Sequence, residues 1–125
     1  MSTLKTANIQ DTSGNNNSTP EEISQGRAKA WINFDGTAAS IGTGRESYNV
    51  SSVTDNGTGD YTINFTNNMA NANYAVVISS NMLGSNANAA YETIDSISTS
   101  SVGIKVIHSA AFQDTSIVCV AVFGD

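Results

Sequence analysis

Apolar and polar residues alternate with period two through most of this chain, and that alternation predicts strands with one buried and one wet face. The clearest case is Tyr48–Phe65, where Tyr61, Ile63 and Phe65 alternate with Thr62, Asn64 and Thr66. Between its two arms, Asp55–Asp60 holds Asp, Asn and two glycines, residues that tolerate the positive φ of a tight reversal, and so reads as a hairpin loop. Arg27–Asp35 puts Ala30, Ile32 and Phe34 on one face and Lys29, Trp31 and Asn33 on the other. Tyr74–Ser80 sets Tyr74, Val76 and Ile78 against Ala75, Val77 and Ser79. Ala89–Ser98 is a weaker strand, and Val102, Ile104 and Val106 mark another with Lys105 outward and His108 at its end.

Ser116–Phe123 breaks the alternation. Ile117, Cys119, Ala121 and Phe123 are apolar on one side, and Val118, Val120 and Val122 on the other. A strand apolar on both faces is covered on both, by a loop or by another subunit. Val118, Val120 and Val122 are therefore candidate oligomer-interface residues. Trp31, on the polar side of its strand, is another candidate, as an interface anchor or as a rim aromatic closing over the core. About seven short strands, with turn residues every 8–12 positions, predict an all-β fold: one antiparallel β-sandwich of jelly-roll-like type, spanning 27–125.

Residues 1–26 read as an extended N-terminal arm with one short helix. Thr19, Pro20 and Glu22 form a capping box with proline at the first helical position, and Gly26 ends the helix. Residues 1–17 are polar, so the arm is expected to be held by a neighbouring subunit rather than by its own core.

Composition narrows the function. Charged residues are only 13%, while Asn, Ser and Thr fill 45 of 125 positions. A net charge of −6 and only five Lys or Arg give no basic patch, which argues against nucleic acid and against an anionic membrane surface. The longest apolar run, Ile117–Phe123, is far below the roughly 20 residues of a membrane helix. The opening M-S-T-L-K-T has no apolar secretion core. Cys119, the single cysteine, reads as a packed, inert thiol. The run D-N-G-T-G-D offers spaced oxygens but lacks the closing Glu of a calcium loop, and one His with one Cys cannot build a zinc site within a chain. No nucleophile motif or carboxylate pair stands out, so no metal, no cofactor and no catalysis are expected. The loop Asn81–Asn88 supplies adaptable donors and acceptors, and Asn81, Ser85, Asn86 and Asn88 are candidate ligand contacts.

Four blocks carry a resemblance: M-S-T-L-K-T-A-N-I-Q-D-T-S-G (1–14), S-T-P-E-E-I-S-Q-G-R-A-K-A-W-I-N-F-D-G-T (18–37), Tyr48–Thr66, and M-A-N-A-N-Y-A-V-V (69–77). Over roughly residues 1–80 the chain resembles small virion structural proteins and tail-fibre domains of tailed bacteriophages, particularly phages of cyanobacteria. The resemblance implies a virion component assembled in the host cytoplasm, with no catalytic residues. Its expected partners are other copies of itself, a homo-trimer first, then other virion proteins of the tail or the major capsid shell, and a glycan or protein of the host surface. Three readings remain open. One is a tail-fibre component for host recognition. Another is a capsid decoration (cement) protein whose arm staples coat subunits. The third is a small enzyme or carbohydrate-binding domain unrelated to virions.

Overall fold

The computed structural model describes residues 1–81 and 90–125. A helix, α1 (Pro20–Gly26), precedes nine strands among these residues. In order they are β1 (Ala30–Phe34), β2 (Glu46–Tyr48), β3 (Val50–Gly57), β4 (Asp60–Phe65), β5 (Ala75–Ser80), β6 (Ala90–Ile97), β7 (Ser101–His108), β8 (Ala111–Phe112) and β9 (Val118–Phe123). They form two antiparallel sheets, one ordered β2–β1–β9–β5 and the other β3–β4–β7–β6 with β8 paired to β7. The two sheets pack face to face as an all-β sandwich, as the alternation predicts. Strands exceed the expected seven because β2 and β8, at three and two residues, are too short to show a period.

The core is built from the alternating positions. Ala30, Ile32 and Phe34 of β1 meet Tyr61, Ile63 and Phe65 of β4 and Val102, Ile104 and Val106 of β7, all buried. Phe34 stands edge-on to Tyr61 with ring centroids 5.1 Å apart, the geometry that sets a ring's positive rim against its neighbour's negative face. Tyr61 is fully buried, so its hydroxyl needs a partner; it donates to Asp114 Oδ1 at 2.6 Å. Burial, and next the Asp114 carboxylate beside it, push the Tyr61 hydroxyl far above the usual tyrosine range.

The β3–β4 reversal is tighter than the expected Asp55–Asp60 loop. Asp55 pairs with Tyr61 and Gly57 with Asp60 across a bulge, which leaves only Thr58 and Gly59 in the turn. Gly59 has φ +63°, and a Cβ there would lie 2.5 Å from Val106 O and 2.6 Å from Gln113 N. Only glycine lets the turn lie this close under β7. The side chains of this run bond locally: Asp55 Oδ1 accepts from Gly57 N at 2.9 Å, and Asn56 Nδ2 donates to Thr62 Oγ1 at 2.9 Å.

Helix α1 begins as predicted. Glu22 N donates to Thr19 Oγ1 at 3.2 Å while Thr19 N donates to Glu22 Oε2 at 2.7 Å, closing the capping box. No residue of α1 is buried, and residues 1–17 are exposed throughout. The arm is closed into a loop by the Ile9–Ser18 bridge and does not pack into the sandwich core.

Candidate functional site

The pairing register decides which residues share each outer face. On the β2–β1–β9–β5 sheet, Tyr48 lies opposite Trp31, Trp31 opposite Ala121, and Ala121 opposite Val77. These four residues form one apolar row across all four strands on the side away from the core. Tyr48, Trp31 and Val77 are 52%, 37% and 58% exposed. Phe123, paired with Ala75, extends the patch one pleat further along. Its other flank is Glu46, Asn33, Cys119 and Ser79, again in register. Trp31, Val77, Cys119 and Ala121 line a shallow hollow of about 270 Å³ in this face.

Trp31 thus stands where the alternation put it, outward and partly exposed. Val118, Val120 and Val122 do not belong to an outer surface, which corrects their reading as interface residues. All three are buried in the core between the sheets, with Val120 opposite Ile32 and Ile78. The outward half of β9 is Cys119, Ala121 and Phe123. Cys119 is accordingly half-buried on the outer face and not packed in the core, because its neighbours in register are Asn33 and Ser79.

The outer face of the other sheet is polar over most of its width, with rows Thr54–Thr62–Gly103–Ser96 and Gly57–Asp60–Lys105–Thr93, and carries one apolar row, Tyr91–Ile107–Phe112, at its β6–β7–β8 end, where Tyr91 and Phe112 are each 50% exposed. The polar groups satisfy one another. Asn64 Nδ2 donates to Ser52 Oγ and Thr54 Oγ1, both at 3.0 Å. Lys105 Nζ bridges Asp95 and, at 3.4 Å, Asp60. The Asp95 contact first, and then Asp60, hold the Lys105 ammonium above its ordinary range.

Asn81 is a joint at the end of β5. Its Oδ1 accepts from Ile117 N at 2.8 Å, its Nδ2 donates to Ser116 Oγ at 3.1 Å, and its backbone N donates to Ile117 O at 3.0 Å. Both ends of the side chain are therefore engaged in holding the start of β9. The other ligand-contact candidates, Ser85, Asn86 and Asn88, lie outside the described residues.

A second hollow, about 580 Å³, lies between the arm and α1. Leu4, Ile9, Pro20 and Ile23 supply its apolar lining and Lys5 and Arg27 its charge. Leu4, Ile9 and Ile23 are exposed. The sequence reading missed this hollow, since the arm's few apolar residues carry no period; their convergence depends on the Ile9–Ser18 bridge.

Among the described residues, no group of three or more His, Cys, Asp or Glu comes together as a metal cluster would, and no helix is long and apolar enough to cross a membrane. Comparison of the chain with protein-family models, with curated proteins and with solved structures finds no match.

Proposed function

We propose that this chain is a structural component of a tailed-bacteriophage particle, a tail-fibre or appendage subunit that acts as a homo-oligomer in recognising the host surface. The observation that carries the oligomeric part is the outward row Tyr48–Trp31–Ala121–Val77. A lone sandwich gains nothing by leaving two aromatics and a valine aligned in water, whereas an interface core is made of such residues. The virion part is supported by the resemblance over roughly residues 1–80. In this reading the protein assembles in the host cytoplasm, resides in the virion, forms trimers, contacts a host glycan or protein, and performs no catalysis.

One observation favours a second reading, a capsid cement protein. Residues 1–17 are exposed and none of α1 is buried, so a segment with its own apolar hollow projects from the sandwich, as a staple for coat subunits would. Antibody labelling of intact and tail-stripped particles separates the two. Label lost with the tails supports the appendage; label retained on heads supports cement; label on neither removes the virion assignment.

A further inference from the structure

The hollow between the arm and α1 has an unusual charge for this molecule. Acidic residues outnumber basic ones by eleven to five in the chain, yet this hollow is lined by two cations and no acid. The other three cations are engaged: Arg45 pairs with Asp35 at 3.1 Å, Lys105 with Asp60 and Asp95, and Lys29 Nζ donates to Ser24 Oγ at 3.0 Å. Lys5 and Arg27 have no ion-pair partner among the described residues. Leu4, at 84%, and Ile9, at 53%, are exposed.

The same molecule carries the complement of this hollow. Tyr48 stands on edge strand β2 at the end of the apolar row, and Glu46 lies two residues before it on the same outward face. An i, i+2 pair on a strand sits roughly 7 Å apart, an aromatic anchor beside one carboxylate. Glu46 has no ion-pair partner among the described residues.

We propose that the arm–helix hollow of one copy docks over the β2 edge of a second copy, with Tyr48 in the apolar lining and Glu46 against Lys5 and Arg27. This deepens the oligomeric part of the proposed function, and rests on that part alone. The contact is heterologous, since hollow and edge are different surfaces; repeated around an axis it closes a ring, and a ring of three is the trimer expected above. Tyr48, 52% exposed, and Trp31, its neighbour in register at 37%, give the edge an aromatic surface for the hollow's apolar lining to cover. The arm needs no contact with its own core, because its apolar residues are used on the neighbour.

Two double variants of the full chain test this by sedimentation velocity across a dilution series, with circular dichroism checking that each folds. Leu4→Asp/Ile9→Asp spoils the hollow; Glu46→Lys/Tyr48→Ala spoils the edge. All four positions are exposed, so the fold should survive. Each variant alone should associate at least about 30-fold more weakly than the wild type. Mixed, they should form a 1:1 complex that grows no further, because one good hollow still meets one good edge. A parallel charge swap reads the electrostatics: Lys5→Glu/Arg27→Glu should weaken association at least about tenfold, and adding Glu46→Lys should restore it. The proposal is overturned if the hollow variant still self-associates like the wild type, or if mixing restores nothing. A wild type that stays monomeric at every concentration overturns both this contact and the oligomeric part of the proposed function, while a wild type whose assembly ignores both variants overturns this contact alone.

Discussion

The two outer faces of the sandwich are made from the same kind of four-residue row and differ in what the row leaves undone. Thr54–Thr62–Gly103–Ser96 offers hydroxyls to water, and its neighbours Asn64 and Lys105 find partners on adjacent strands of the same sheet. Tyr48–Trp31–Ala121–Val77 offers apolar surface with Tyr48, Trp31 and Val77 left exposed among the described residues. Both sheets contribute inner-face residues to the buried core, so the difference lies in what each outer face carries. The middle rows of one face are satisfied within the sheet; the row on the other face is what the proposed assembly would cover. Polar groups on a sheet can satisfy each other laterally, whereas apolar groups can be satisfied only from above.

The sharpest way to break this comparison lies within β9. Val120→Asp places a carboxylate in the core, where Val120 is 3% exposed, and should leave no folded protein by circular dichroism. Ala121→Asp, one residue on, should leave the melting curve near that of the wild type and reduce association. If Ala121→Asp unfolds the protein and Val120→Asp does not, the faces have been exchanged.

Next in size is Tyr61, whose buried hydroxyl pins the polar sheet to Asp114. Tyr61→Phe removes a hydrogen bond to a charged group and should cost about 1.5–3 kcal/mol in urea melts. It should also alter the response to alkali. The Tyr61 hydroxyl is pushed up in the folded state, so its contribution is complete below the ordinary tyrosine pKa of 10.0 and is lost as pH climbs past it, where only the unfolded chain ionises. Tyr74, also raised by burial, acts in the same direction. Stability should therefore fall above about pH 10, and less steeply in Tyr61→Phe. An equal alkaline slope in both proteins would contradict the assignment.

The smallest effect is expected on the polar face. Lys105→Ala breaks two surface ion pairs and should lower the melting temperature by no more than ~2 °C, with the difference fading at high salt. It should not change association, because the ion pairs around Lys105 are made within its own sheet. A loss of assembly in Lys105→Ala would mean the polar face is also an interface.

How much of this could be read from the letters follows from the same contrast. The inner faces of β1, β4 and β7 were legible because alternation with polar partners marks the buried side directly. In β9 alternation is absent, so nothing in the strand itself marks Val118, Val120 and Val122 as its inward side. The inward side is set by register with Ile32 and Ile78, which lie about 88 and 42 positions away and leave no trace in the strand itself. Trp31 was legible as an outward aromatic, but its row-mates Tyr48, Ala121 and Val77 were not, because each comes from a different strand. Thr115, fully buried with its Oγ1 donating to Ile117 O at 3.2 Å, gave no signal, since a threonine in a turn is ordinarily wet. The capping box at Thr19 was fully legible, as all its partners lie within four residues.

Trp31 is the only tryptophan, and it sits in the middle of the face that carries the apolar row. Its fluorescence, followed with acrylamide quenching from dilute to concentrated protein, therefore reports on that face alone. Emission should shift to the blue and quenching should fall as concentration rises, with the midpoint matching assembly measured by sedimentation. Emission and quenching that stay constant while the protein assembles would place the interface elsewhere and contradict the account.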